Sequence, residues 1–151
     1  EYRFLKESPW KRLDILRERM PNVMIQMLLR DSNVVGYSTY PDNVIKKFIK
    51  VSSDHGVDIY RIFDSMNWME NMKLPVEEAL KTGKIVEGAI CYTGDILNPK
   101  ELKYTIDYYC KKARQLEKMG CHVIALKDMS SLLKPYAAKK LIEALKLEKK
   151  S

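Results

Sequence analysis

The chain has 151 residues, 46% hydrophobic and 31% charged, with a net charge of +7; this is the profile of a soluble globular domain. No stretch is apolar enough to span a bilayer, and the N-terminus lacks a signal-peptide pattern. Much of the excess positive charge lies from Lys134 to Lys150 at helical spacing, which suits a solvated helix face, and no nucleic-acid-binding motif is present. Three widely spaced cysteines, Cys91, Cys110 and Cys121, without a CxxC, fit reduced thiols better than a disulfide framework.

In chain order, Ser8-Pro9 predicts the start of a helix through Trp10, Leu13, Ile15, Leu16 and Met20, with Ser at N-cap and Pro at N1. Val23 to Leu29 is the first of four apolar, β-branched runs that read as buried strands. Pro41-Asp42 opens a helix with Val44, Ile45, Phe48 and Ile49, closed near His55-Gly56. The second strand is Val57 to Phe63. A helix from Trp68 to Lys81 follows, ended by Gly83 and expected to kink or divide at Pro75. The third strand is Ile85 to Tyr92. Pro99 is expected to start the next helix, with Leu102, Ile106, Tyr109, Ala113 and Leu116 on one face and Gly120 closing it. The fourth strand is His122 to Leu126, and a last helix runs from Pro135 through Ala138, Leu141, Ile142 and Leu145.

This α-(βα) order, with four βα units, predicts an α/β fold with a parallel sheet and right-handed crossovers. Two architectures fit: an open doubly wound sheet, slightly favoured by periodicity alone, or half of a (β/α)8 barrel. A whole barrel takes about 250 residues. In both, chemistry gathers at the C-terminal ends of the strands. Those ends carry Arg30, Asp64, Tyr92-Thr93-Gly94-Asp95 and Lys127-Asp128.

Lys127 directly follows Val123-Ile124-Ala125-Leu126. A lysine on the rim of a buried strand can become nucleophilic, form a Schiff base or take up CO2 as a carbamate. The plainer alternative is an ion pair with Asp128 or Asp64. Arg30 could grip the carboxylate of a small acid with its bidentate fork, or form a structural ion pair. Asp64 and Asp95 suit metal ligands, bases or loop caps. His55 and His122 read as structural. No GxGxxG, P-loop, HxH or HExxH is present.

Several segments at these strand ends resemble one family. They are Met27-Leu28-Leu29-Arg30 with Asn33, Gly36-Tyr37 and Tyr40-Pro41-Asp42-Asn43; Arg61-Ile62-Phe63-Asp64-Ser65-Met66-Asn67-Trp68; Cys91-Tyr92-Thr93-Gly94-Asp95-Ile96-Leu97; and Ala125-Leu126-Lys127-Asp128-Met129 with Leu132-Leu133-Lys134-Pro135. In that order they resemble the carboxyltransferase domain of pyruvate carboxylase, a family that includes the oxaloacetate decarboxylase α subunit. The resemblance implies that residues 1–151 are part of a TIM barrel, about four consecutive βα units of it.

The resemblance further implies transfer of CO2 from carboxybiotin to pyruvate, giving oxaloacetate. Lys127 would be carbamylated and bind a divalent metal, zinc or manganese. Arg30 would position the oxo acid, and Tyr37 would lie in the pocket that receives biotin. The family's remaining metal ligands, an aspartate and a His-x-His pair, have no counterpart in this sequence. Biotin would be carried on another domain or chain. Expected partners are pyruvate or oxaloacetate, the biotin carrier domain, and remaining barrel segments or a second copy. Neither nucleic acid nor membrane is among them, and the expected compartment is the cytoplasm, or the mitochondrial matrix in a eukaryote.

The chain departs from the family at Asp31, usually Gly, and at Ser130-Ser131, usually Ala-Gly. Asp31 would add an anion beside the oxo-acid site, and Ser131 would replace a backbone-permissive residue. Alternative readings are a decayed, non-catalytic binding module and a piece of an oxaloacetate decarboxylase α subunit.

Overall fold

Each of the four apolar runs contains a strand that leads toward a helix, though the first, expected to be buried from Val23 to Leu29, is a strand only over Gln26–Arg30 and leaves Val23 and Met24 exposed. The computed structural model describes residues 2–148. Their order is α1 (Tyr2–Leu5), α2 (Pro9–Arg19), β1 (Gln26–Arg30), a 3-10 turn (Asp31–Asn33), α3 (Asp42–Asp54), β2 (Ile59–Asp64), α4 (Met69–Lys81), β3 (Ile85–Cys91), α5 (Ile106–Lys118), β4 (Val123–Lys127) and α6 (Pro135–Glu148).

All strand pairs are parallel, and sheet order equals chain order. A doubly wound sheet would reverse its order at a switch point and carry helices on both faces. Here Leu29, Tyr60, Ile62, Val86 and Ile90 form one core with Ile45, Ile49, Val76, Leu116 and Leu141 of α3 to α6. Burying each such side chain contributes at most about 1.5–3 kcal/mol. The register puts Leu28, Arg61 and Glu87 in one row of the opposite face, and Arg30, Phe63, Ala89 and Ala125 in the next. No helix covers that face among the described residues; Leu28 is 47% and Val123 45% exposed, while Phe63, Ala89 and Cys91 form a small buried cluster in its middle. Helices on one face and unbroken strand order are the geometry of a barrel wall.

The bare face holds one charged cluster. Glu87 is buried; its Oε1 accepts from Arg61 at 2.6 Å and its Oε2 from Gln26 at 2.6 Å. At the other rim, Arg17 of α2 donates to the carbonyls of Val23 at 2.9 Å and Gly56 at 2.8 Å and pairs with Asp58. This ties α2 to the N-terminal ends of β1 and β2.

Three further sequence expectations need correction. Ser8 stands at N-cap with extended backbone but makes no side-chain cap bond; Pro9, with its fixed φ, still starts the helix there. Pro99 does not open α5. Asn98 Oδ1 accepts from the Lys100 amide, and Glu101 Oε1 from the Lys103 and Tyr104 amides. These side chains offer the backbone a turn instead of a helix. The helix begins only after Thr105, whose hydroxyl accepts from the Tyr108 amide at 3.3 Å, and Leu102 is left 90% exposed. Finally, α4 is not divided at Pro75 but runs from Met69 through it to Lys81.

Candidate functional site at the C-terminal rim

The C-terminal ends of β1, β2 and β4 bring Arg30, Phe63 and Lys127 onto the bare face. Lys127 closes β4 beside Cys91 of β3. Its ammonium lies 4.9 Å from the centre of the Phe63 ring, so its stem reaches across β3 to β2. A cation over an aromatic face is held by the ring quadrupole. The alternative ion pairs with Asp64 or Asp128 do not form. Asp64 Oδ1 accepts the amides of Met66 at 2.8 Å and Trp68 at 2.9 Å, and its Oδ2 accepts from Asn71 at 3.2 Å. Asp128 accepts the amides of Leu132 at 3.0 Å and Leu133 at 2.9 Å. Both carboxylates are loop caps. The amides of Leu133 and Leu132 hold the Asp128 carboxyl below the usual range. Burial raises the Cys91 thiol, opposed by the nearby Lys127 charge.

Arg30 makes no ion pair among the described residues. Its guanidinium lies 5.6 Å from the centre of the Tyr37 ring. Tyr37 is 90% exposed. Together with Leu28, Val34, Val35 and Phe63 they line a cleft of about 230 Å³. The loop between them is built on close packing: a Cβ on Gly36 would sit 2.7 Å from the Tyr40 hydroxyl. A larger apolar cleft, about 510 Å³, lies at the free edge of β4 between α5 and α6 and holds none of the expected site residues.

The two departures fall on strained backbone. Asp31 has φ +39° and Ser131 φ +55°, in the left-handed region that favours glycine. The Asp31 side chain is buried, with Oδ1 accepting the Asn33 amide at 3.0 Å. It faces Asp64 and Asn71 and makes no ion pair with Arg30, so its charge is turned into the base of the loop. Burial raises its carboxyl; the Asn33 amide opposes this, and the Asp64 charge adds to it.

Asp95 is also a cap, accepting the Leu97 amide at 3.1 Å, and it pairs with Lys134 at 2.8 Å. His122 Nδ1 accepts the Val86 amide at 3.0 Å, and His55 Nδ1 lies 2.6 Å from Asp14 Oδ1; both are structural, as read from the sequence. Sequence reasoning missed Phe63, which touches Lys127 from two strands away. No local pattern announces that contact; it appears only in the strand register, which sets Phe63 beside Arg30 on one face.

No protein-family model matches the chain. The sequence is 56% identical over 145 residues to pyruvate carboxylase of Bacillus subtilis, and 49% identical over 144 residues to the mitochondrial pyruvate carboxylase of Rattus norvegicus. Among solved structures, the carboxyl transferase domain of Rhizobium etli pyruvate carboxylase, with pyruvate and biocytin, superposes with a TM-score of 0.94 at 51% identity over 97% of this chain. The chain belongs to the pyruvate carboxylase family, in its carboxyltransferase domain. It spans 13% of the length of the Bacillus subtilis pyruvate carboxylase and 25% of the solved carboxyl transferase domain chain. The parallel sheet is therefore four consecutive βα units of a TIM barrel. No helix among the described residues is long and apolar enough to cross a membrane.

Proposed function

We propose that this chain supplies the oxo-acid side of a biotin-dependent carboxyl transfer, from carboxybiotin to pyruvate, within a carboxyltransferase barrel that includes residues 1–151. The observation that supports this reading best is that Arg30, Tyr37 and Lys127 gather around Phe63 at the rim of the sheet, with Arg30 making no ion pair among the described residues. A rigid guanidinium fork facing open space matches the carboxylate of a small oxo acid. It also stabilises the negative charge that develops when the methyl group of pyruvate loses a proton. The apolar cleft under Tyr37 suits a fused-ring ligand, with the ring of Tyr37 as one wall and the guanidinium at its mouth. Carboxybiotin, brought there by a carrier domain, would give up its carboxyl group to the methyl carbon, and its ureido nitrogen would take the proton that carbon loses. Arg30 holds the acceptor, and the exposed ring of Tyr37 offers a face for the biotin bicycle.

A divalent metal is a different matter. Among the described residues no group of three or more His, Cys, Asp or Glu side chains could hold one. Lys127, the expected ligand as a carbamate, has Phe63 and Cys91 as neighbours, and Asp64 is spent on capping. The described side chains do not by themselves complete a metal centre. The bare face and the free edges of β1 and β4 call for cover, from further barrel strands or a second copy. The cytoplasm or the mitochondrial matrix fits such an enzyme.

The test supplies the remaining barrel segments in trans and measures biotin-dependent oxaloacetate decarboxylation. Activity lost in Lys127→Ala and Arg30→Ala is the expected result. No activity at any ratio of the pieces sinks the reading.

A further inference from the structure

Proline inside a helix removes one amide donor, and its ring crowds the carbonyl four residues back. For Pro75 that carbonyl belongs to Asn71, in the first turn of α4. It does not stay empty: the Ser32 hydroxyl donates to the Asn71 carbonyl oxygen at 3.1 Å, across 39 residues of sequence. Ser32 is the middle residue of the 3-10 turn between Arg30 and the Tyr37 loop, and α4 packs against that turn.

We infer that Pro75 and Ser32 are positioning residues for the candidate site. By emptying the Asn71 carbonyl, Pro75 creates an acceptor on α4 that Ser32 uses to anchor the loop carrying Arg30 and Tyr37. The inference rests on the proposed roles of those two residues, but the clasp itself does not.

The rest of the geometry agrees. Asn71 cannot swing away, because its side chain donates to Asp64 Oδ2 at 3.2 Å while Asp64 caps the start of α4. The loop beyond Ser32 is tied to the core by the buried side chain of Val34 and otherwise bonds to itself. Val34 donates to the Asp31 carbonyl at 3.2 Å, Gly36 to the Asn33 carbonyl at 2.7 Å and Tyr40 to the Ser32 carbonyl at 3.0 Å. Such a loop moves as a unit, so the bond from its base to a rigid helix, added to the hold of Val34, limits the motion of the whole. An ordinary residue at position 75 would return an amide to the Asn71 carbonyl and relieve the crowding that turns it outward. The serine would then lose its place. The proline disfavours the helix it sits in, while its gain appears in a neighbouring loop.

This trade gives opposite signs in two measurements on one variant. Amide hydrogen exchange and thermal melting are followed in the wild type, Ser32→Ala, Ser32→Thr and Pro75→Ala. Ser32→Ala speeds exchange at Val34, Gly36 and Tyr40 about fivefold, the weight of one hydrogen bond, and Ser32→Thr restores the wild-type rate. Pro75→Ala raises the melting temperature and yet speeds exchange at the same three amides. Pro75→Ala with unchanged or slower exchange there overturns the inference, as does Ser32→Ala without effect. Where carboxyl transfer is reconstituted, both alanine variants raise KM for oxaloacetate more than they lower kcat. If exchange quickens but KM stays fixed, the clasp stands and the assignment of Arg30 and Tyr37 falls.

Discussion

Ser131→Gly should stabilise the protein, although it removes atoms and adds no contact. Ser131 sits at φ +55°. An L side chain in that region costs about 1–2 kcal/mol, because its Cβ crowds the backbone carbonyl. The loop cannot relax this strain cheaply, since Asp128 holds the amides of Leu132 and Leu133 on its far side. The Ser131 side chain is exposed, so little packing is lost. Against the relief stands the extra freedom of glycine in the unfolded chain, about 0.5–1 kcal/mol. The net gain is about 0.5–1 kcal/mol, or roughly 2–3 °C in melting temperature for a domain of this size. Urea and thermal melts of Ser131→Gly, Ser131→Asn and Ser131→Ala give the check. Stability should fall in the order Gly, Asn, Ser, because Asn tolerates the left-handed region better than most residues. Ala should gain nothing, since it keeps the Cβ. A Gly variant no more stable than Ala would refute the strain argument.

At Asp31 strain and charge act together, and pH separates them. Its folded-state pKa is raised by burial, with the Asn33 amide opposing and the Asp64 charge adding, so the ionised carboxyl opposes folding. The penalty is absent below the unfolded value, near 3.8, and grows as pH rises through the folded value. Asp31→Asn should therefore stabilise the protein at pH 8, with the gain fading toward pH 3.5; a gain that is flat with pH rules out the charge as its source. On the bare face, Glu87→Ala strands Arg61 and Gln26 and should cost about 2 kcal/mol by urea denaturation. A cost of only a few tenths would mean that water replaces the carboxylate there.

What the sequence discloses about this protein depends on the range of the interaction responsible. The apolar runs and the helices after them follow from local pattern, and their order points to a parallel sheet. Arg30 and Lys127 are legible because a charged residue directly after a buried run must stand on a strand's rim. The start of α5 was misplaced because Pro99 is a strong local signal, while the turns of Asn98 and Glu101 and the cap of Thr105 together outweigh it. The ion-pair alternative for Lys127 fails for a different reason. Sequence offers the lysine nearby acids, but both acids are occupied by backbone amides, and the ring that receives it lies two strands away. Periodicity does not choose between open sheet and barrel; the resemblance of the strand-end segments points to the barrel, and the sheet face without helices gives the physical reason.

Because chain order and sheet order coincide, every strand meets a partner made just before it or just after it. No long loop has to close before the first pairing is gained, which keeps the entropic barrier to assembly low for a parallel sheet. During synthesis, each βα unit emerges to find a completed edge waiting. The wall can grow one unit at a time in the direction of translation, its template always the strand laid down last.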